Sequence, residues 1–470
     1  MTFAIHNLGC KVNTYETDAM ICSLKEAGFE ERAFDDTADI YIINTCTVTN
    51  VADKKSRQML HRARKMNEKA IVVAVGCYVD AALRNKEMSA LLSDSSVDIF
   101  LPNKDKGRIV EKIREFMENR DKTAENSDKS EKSEPSPFGC KEEAFSMNVT
   151  EIVNHTRAFI KVQDGCNQFC SYCIIPYARG RIVSRPIEDC VSEIRGLAEK
   201  GVREVVLTGI HLSSYGKDWL PEGGKGPVSD DDFKDRIYLL ELIKAIHEIE
   251  GIERIRIGSL EPHIVTETFA RELAGLKKFC PHFHLSLQSG SDTVLKRMNR
   301  HYTAEDYMRR CEILRKYFEH PAITTDVIVG FPGETEEEFK ESLEFARKVR
   351  FYEMHVFKYS RRAGTLADRM EGQLTEALKS ERSEELIKLS EEMSDEFRRY
   401  YLGRELEMLP EEIIEAEDRN GVKKRYVTGY TKEYVRTVKE AETFEKGAVI
   451  RGKASDICKE KAIYESILLR

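Results

Sequence analysis

Three cysteines, Cys166, Cys170 and Cys173, stand in CxxxCxxC spacing in the run DGCNQFCSYCIIPYARGR at residues 164–181. Three thiolates on one short loop can bind three irons of a 4Fe–4S cluster and leave the fourth iron without a protein ligand. An open metal position is what chemistry requires, whereas closed sites are generally structural. The alternative is a zinc knuckle, which needs a fourth Cys or His nearby; His155 and His211 are present, but neither has zinc-finger spacing. A second set, Cys10, Cys46 and Cys77, closes the apolar runs FAIHNLGC, DIYIINTC and KAIVVAVGC. Any one of these could be merely a small residue at a strand end. Three in the same position, two of them after glycine (Gly9 and Gly76), would converge at one edge of a parallel sheet and form a second open-iron site. Cys22, Cys140, Cys190, Cys280, Cys311 and Cys458 have no ligand spacing and read as structural or incidental thiols.

The elements that must position these cysteines are legible from periodicity. Residues 1–117 alternate β-branched runs with charged helical stretches, which predicts a parallel α/β domain. Residues 118–150 read as a linker, because ENRDKTAENSDKSEKSEPSP contains almost nothing apolar. In residues 151–400, six strand candidates separated by helical stretches predict a partial (β/α)6 barrel: AFIKVQ, EVVLTG, RIRIG, HFHLSL, ITTDVIVG and YEMHVFKY. Thr335 and Glu338 have capping-box spacing before one of its helices. A Gly/Pro/Asp-rich loop, 216–232, interrupts this pattern, and residues 401–470 break into short runs of a small all-β barrel. The Cys166 loop then follows the first barrel strand, at the end where such folds bind ligands.

The chain has 470 residues, 41% hydrophobic and 33% charged, a soluble globular composition too long for one typical domain. No run approaches a membrane span, and the start MTFAIHNLGCKVNTYET lacks the pattern of a secretory signal. The expected compartment is the cytoplasm, where 12 cysteines point to metal binding or catalysis instead of disulfides. A net charge of −8 restricts any nucleic-acid contact to local patches.

On CxxxCxxC after the first barrel strand, the chain resembles the radical-SAM superfamily. The frames LGCKVNTYETD and NTCTVTNVADKKSRQ resemble its methylthiotransferase family, and the likeness spans nearly the whole chain. This resemblance implies two 4Fe–4S clusters and S-adenosylmethionine, with metal ligands Cys166, Cys170 and Cys173 for one cluster and Cys10, Cys46 and Cys77 for the auxiliary one. It implies that S-adenosylmethionine binds the first cluster's open iron and is cleaved to a 5′-deoxyadenosyl radical. The auxiliary cluster would then carry the sulfur for a methylthio group. S-adenosylmethionine contacts are expected at the strand ends, from Thr208, Gly209, Ser286, Gln288 and Gly330, with Glu261 and Arg185 as further pocket candidates; the glycines of DVIVGFPGET permit close backbone approach, or merely form a turn.

Within the family, LGCKVNTYETD, QDGCNQFCSYCIIPYARGR and LSLQSGSDTVLKRMNRHYT look most like the branch that modifies threonylcarbamoyladenosine at C2 in tRNA. The other branches act on isopentenyladenosine in tRNA or on an aspartate of a ribosomal protein. The expected partners are a tRNA anticodon stem-loop and an external electron donor, with neither DNA nor membrane. GYTKEYVRTVK resembles the RNA-binding TRAM domain, departing from it in Glu433 before the tyrosine, where a carboxylate opposes phosphate contact. Between Arg419 and Lys439 seven Lys/Arg interleave with Tyr426, Tyr430 and Tyr434, which could neutralise phosphate and stack on bases. Residues 54–66 carry six Lys/Arg and no acid and form a second candidate patch, or a solvated helix face. A non-catalytic RNA-binding protein with structural metal, and a methyltransferase that inserts no sulfur, are the competing readings.

Overall fold

The computed structural model describes residues 1–123, 144–151, 156–220, 226–417, 422–445 and 447–470. Most of the expected linker, the middle of the 216–232 loop, Cys140, His155 and Arg419 lie outside the described residues. No helix of the described residues is long and apolar enough to cross a membrane.

The N-terminal sheet has strands β1 (Thr2–Asn7), β2 (Glu30–Glu31), β3 (Ile40–Thr45), β4 (Ile71–Gly76) and β5 (Ile99–Leu101), all parallel, in the order β2-β1-β3-β4-β5. Every residue of IYIINT and IVVAVG is buried, as expected of parallel strands covered on both faces. Helix Lys11–Glu26 covers this sheet with Met20, Ile21 and Leu24. Its other side sends Tyr15, Ala19 and Cys22 into the core of the next unit. One helix thus ties the two units together by burying both its faces.

That next unit holds β6 (Arg157–Asp164), the short antiparallel β7 (Val183–Ser184), β8 (Glu204–Gly209), β9 (Arg254–Ile257), β10 (His282–His284), β11 (Ala322–Val329) and β12 (Glu353–Lys358). Apart from β7, the six strands fall in the six expected runs and are parallel, β10 taking only the first half of HFHLSL. Two sheets, β7-β6-β8-β9 and β10-β11-β12, are joined by parallel bridges at Ile255–Phe279 and Leu260–Leu285. No pairing between β6 and β12 occurs among the described residues, so the barrel is incomplete. The capping box of Thr335 and Glu338 opens helix Glu336–Val349. Residues 118–123 continue helix Ile109–Thr123, and Val149 is packed in the barrel core.

Strands β13 (Glu405–Glu417), β14 (Lys423–Tyr430), β15 (Arg436–Glu440), β16 (Ile450–Ile457) and β17 (Ile467–Leu469) close a small barrel in the order β13-β14-β15-β17-β16. It docks against the N-terminal ends of β6, β8 and β9. Arg254 donates to Tyr430 O at 2.9 Å and Glu407 O at 3.2 Å, and Arg256 to Lys432 O at 2.9 Å and Thr431 O at 3.2 Å. The fold is α/β throughout its first two units and all-β in the third, in line with the sequence.

Candidate functional site

Cys10, Cys46 and Cys77 follow β1, β3 and β4, which are neighbours in the sheet. In register, Asn7 sits beside Asn44 and Thr45 beside Gly76, so the strand ends present the cysteines side by side. Gly9 has φ +118, and a Cβ there would lie 3.3 Å from Cys46 Sγ, so only glycine lets the Cys10 turn approach Cys46. Cys10 is exposed; burial pushes the Cys46 thiol up to about 11, with Cys77 and Cys10 adding to the rise. Cys77 accepts hydrogen bonds from Arg179 Nε at 3.2 Å and Asn103 Nδ2 at 3.5 Å.

Cys166, Cys170 and Cys173 share the loop after β6. Gly165 has φ +69, and a Cβ there would sit 1.9 Å from Arg181 O; this tight turn folds the loop back on itself, with Cys166 N donating to Gly180 O at 3.1 Å. Burial pushes the Cys166 thiol well up and that of Cys173 to about 12, and the neighbouring Cys170 reinforces both. Arg300 donates to Cys170 Sγ at 3.1 Å and the Gln168 amide to Cys166 Sγ at 3.4 Å. Donors aimed at sulfur stabilise thiolates, the form that binds metal.

Ligand spacing separates a cluster from a single ion. Sulfurs around one tetrahedral zinc stand about 3.8 Å apart, from Zn–S bonds of about 2.3 Å. Among the described residues only His284, Asp326 and His355 bring three ligand atoms within 4.8 Å of one another, and neither cysteine triplet does. Neither triplet thus has the close spacing of a single zinc site, and three thiolate donors are a set that fits a 4Fe–4S cluster.

Between the triplets lies a buried ion network that sequence reading missed. Arg179, whose side chain is fully buried, donates to Glu16 Oε1 at 2.9 Å, Asp164 Oδ2 at 3.1 Å and Asn13 Oδ1 at 2.8 Å. Lys161 bridges Glu16 at 2.8 Å and Asp164 at 2.5 Å, and Lys106 pairs with Glu16. Burial alone would raise the Glu16 carboxyl, but Arg179, Lys106 and Lys161 hold it well below its usual range. Three cations thus converge on Glu16, and Arg179 also carries a donor to Cys77. YARGR offers two arginines after the cysteines and does not say which of them the network takes.

Of the expected S-adenosylmethionine contacts, Thr208 and Gly209 end β8, and Ser286 and Gln288 follow β10 on the same rim as the Cys166 loop. Gln288 has φ +68, a conformation costing a non-glycine residue about 1–3 kcal/mol, and is held by bonds from its N to Asp326 O and from Ile328 N to its O. Gly330 differs: its amide donates to Glu334 Oε2 at 2.7 Å and a Cβ would meet Lys379 Cγ at 2.4 Å, so its glycine is explained by the turn. Glu261 accepts from Arg300 and lies 3.6 Å from His211 Nε2, within the shell of the Cys170 site. Arg185 is drawn away from the rim, paired with Glu193 and donating to Asn148 Oδ1 at 2.8 Å.

The aromatic RNA-stacking expectation is corrected. Tyr426 is 5% exposed inside the C-terminal barrel. Tyr430 and Tyr434 stack on each other, centroids 4.4 Å apart, with Arg157 over both, because the barrel base offers them a cationic partner. On helix Asn50–Met66, Arg57, Arg62 and Arg64 bond Tyr78, Asp35 and Asp98, leaving Lys54, Lys55 and Lys65 exposed.

The chain matches the family model described as Radical SAM superfamily over residues 160–346 and that described as Uncharacterized protein family UPF0004 over residues 2–100. It is 40% identical over 440 residues to the Threonylcarbamoyladenosine tRNA methylthiotransferase MtaB of Bacillus subtilis, covering 93% of this chain and 90% of the relative. It is 34% identical to the tRNA-2-methylthio-N(6)-dimethylallyladenosine synthase of Syntrophus aciditrophicus, covering 87% and 83%. Among solved structures, the radical S-adenosylmethionine methyltransferase TsrM from Kitasatospora setae, with cobalamin and a [4Fe-4S] cluster bound, shares the fold at TM-score 0.54 and 16% identity, over 78% of this chain and 74% of that one. Two converging cysteine triplets, a partial barrel and relatives aligned along almost the full length place the chain in one family: it is a radical-SAM methylthiotransferase.

Proposed function

We propose that this protein is a tRNA threonylcarbamoyladenosine methylthiotransferase, working in the cytoplasm, that replaces the C2 hydrogen of the modified adenosine beside the anticodon with a methylthio group. The observation that carries this reading is Arg179, six residues beyond Cys173 in sequence, touching Cys77 Sγ at 3.2 Å: the two triplets face one working space. In this reading Cys166, Cys170 and Cys173 hold one 4Fe–4S cluster and Cys10, Cys46 and Cys77 the other. Held there, one cluster would supply the electron that cleaves S-adenosylmethionine to a hydrogen-abstracting radical and the other an iron to bind sulfur, with S-adenosylmethionine as the methyl donor.

The protein's own residues orient and tune. Arg300 and the Gln168 amide hold negative charge on the sulfurs of the barrel loop, and Arg179 does so at Cys77. Thr208, Gly209, Ser286 and Gln288 line the rim where S-adenosylmethionine is to be seated, and Gly330 shapes the turn beside it. Residues 1–117 carry the auxiliary site, 151–400 the radical site, and the TRAM-like barrel 401–470 holds the anticodon stem-loop together with Lys54, Lys55 and Lys65. Electrons come from an external donor.

The test is nucleoside mass spectrometry of bulk tRNA from cells with and without the gene. The 2-methylthio derivative of threonylcarbamoyladenosine is expected to disappear and its unthiolated precursor to accumulate. The intact gene restores the product, and Cys166→Ala or Cys10→Ala does not. Loss of a methylthio-isopentenyl nucleoside instead transfers the same chemistry to the other tRNA substrate. No change in any methylthio nucleoside refutes the tRNA reading.

A further inference from the structure

Three side chains able to ligate metal converge inside the partial barrel, and none belongs to either cysteine triplet. Phe283, Ile323, Val327 and Met354 join one core with Leu314 and Phe339 of helices Ala304–Tyr317 and Glu336–Val349. Alternation along the strands therefore turns His284, Thr324, Asp326 and His355 to the opposite, inner face. In register, His284 sits beside Thr324 and His355 beside Asp326. His284, Asp326 and His355 each bring one ligand atom within 4.8 Å of the other two, the only such group among the described residues.

The distances suit one shared ion. His284 Nε2 lies 3.2 Å from Asp326 Oδ2. Two ligand atoms at about 2.1 Å from one metal stand about 3.0 Å apart in an octahedron and about 3.4 Å apart in a tetrahedron. The His284 and His355 ring centroids are 5.6 Å apart, with planes 26° from parallel. Two imidazoles on one ion through such bonds place their centroids about 5–6 Å apart. A plain histidine–carboxylate hydrogen bond accounts for the first distance and leaves no part for His355.

The surroundings orient the set and leave it accessible. His284 Nδ1 lies 3.0 Å from Thr324 Oγ1, which lies 3.3 Å from His282 Nε2. The hydroxyl thus fixes the His284 ring by its far nitrogen, as outer partners do for metal-bound histidines. Asp326 O accepts from Gln288 N at 2.8 Å, which ties the cluster to the strand-end rim. His284 is buried, Asp326 half-buried and His355 exposed on β12, the edge strand of its sheet, so the cluster opens to solvent there.

Charge selects the kind of ion. Asp326 supplies the one carboxylate of the set. Lys11 and Arg256, the latter paired with Glu204 at 3.1 Å, add positive influence to this layer. Magnesium and calcium are held by several oxygen ligands, often charged, and find too little negative charge here. Two imidazoles with one carboxylate suit zinc, iron(II) or a similar transition ion, and this set leaves coordination positions open.

We propose that His284, Asp326 and His355 bind one divalent transition-metal ion, separate from both cysteine triplets, whose open positions face the β12 edge and take oxygen donors such as water or a carboxylate. The site is independent of which nucleoside the enzyme modifies.

The test uses protein with both clusters loaded and oxidised, so that the cysteine triplets are already occupied. Zinc is added, unbound metal is removed by gel filtration, and zinc and iron are counted by mass spectrometry. About one zinc per chain is expected with iron unchanged, and X-ray absorption at the zinc edge should show nitrogen and oxygen at about 2.0–2.2 Å without sulfur at about 2.3 Å. His355→Phe, at an exposed position, and Asp326→Asn should each weaken zinc binding about tenfold or more, at least the loss that follows removal of an outer partner. Competition with a fluorescent chelator reads this, on variants that keep the wild-type iron content and so are folded. No retained zinc in the wild type overturns the site, and this result needs no variant. Zinc that displaces iron or carries sulfur in its shell overturns it too, as does full affinity kept in both variants.

Discussion

Arg179 donates its Nε–H to Cys77 Sγ at 3.2 Å, and the same guanidinium holds Glu16 and Asp164. Glu16 belongs to the helix that starts after Cys10, and Asp164 stands two residues before Cys166. One side chain therefore touches the chain segments that carry a cysteine of each triplet, and it fixes how far apart the two sites can be.

Arg179→Met should both destabilise the protein and empty the N-terminal site. Breaking a buried ion pair by removing one partner costs about 3–5 kcal/mol. Iron in reconstituted protein should fall from about eight per chain toward about four, by cluster stoichiometry. Arg179→Lys should be intermediate, because an ammonium cannot span four acceptors as a planar fork does. Differential scanning fluorimetry and an iron assay read both effects; a variant with wild-type melting and full iron would refute the bridging role.

Arg300 places a cationic donor 3.1 Å from Cys170 Sγ and is itself held by Glu261. Arg300→Met should shift the midpoint potential of the barrel cluster to more negative values, because charge and hydrogen bonds at the ligand sulfur favour the reduced form. Glu261→Gln, which leaves the arginine's charge less neutralised, should shift it the other way. Redox titration followed by electron paramagnetic resonance measures both, and shifts of the same sign in the two variants would contradict the model of opposed charges.

The Glu338 carboxyl is held at about 2 by Arg297, with Thr293 and its own helix cap adding bonds, against a partial burial that opposes. Its folded value is depressed below the usual 4.5. The stability it contributes is therefore present above about pH 4.5 and is lost as pH falls through about 2. Glu338→Gln in cluster-free protein should melt below wild type at pH 7, with the gap narrowing progressively from pH 4.5 downward. A gap independent of pH would assign the residue's effect to packing alone.

Tyr434 anchors the C-terminal barrel through its stack with Tyr430 and its contacts with Arg157 and Arg256. Tyr434→Ala should cost about 1–3 kcal/mol from the lost ring pair and cation–π contacts. Limited proteolysis should then cut faster near Tyr400–Arg404, between the long helix and β13, than in wild type. Unchanged cleavage would mean that the backbone bonds from Arg254 and Arg256 suffice to hold the barrel.

Periodicity made the six barrel strands and the three cysteine-bearing strands legible because each is a short run rich in apolar residues, set off by helical stretches or turn signals. The cysteines were legible because ligand chemistry needs fixed residue types, in close spacing for one set and at equivalent strand ends for the other. Arg179, Lys106 and Lys161 were not, since they meet Glu16 only after three distant segments pack. Tyr430 and Tyr434 misled for the opposite reason: aromatic residues among cations suit RNA, yet the cations that claim them, Arg157 and Arg256, come from the barrel far back in sequence. A closer reading of period-two polarity could have found the inward-facing side of the barrel, because HFH and EMH alternate polar and apolar residues where a wall facing only packing would not.

The docking of Arg254 and Arg256 onto the 430–432 backbone has a consequence for how deletions are to be interpreted. A protein shortened before β13 would lose more than an RNA-binding surface. It would strip the backbone acceptors from two arginines that are at most 2% exposed and open the base of the larger barrel to water. Loss of activity in such a truncation is therefore expected even with a free nucleoside as substrate, and it would say nothing by itself about tRNA capture.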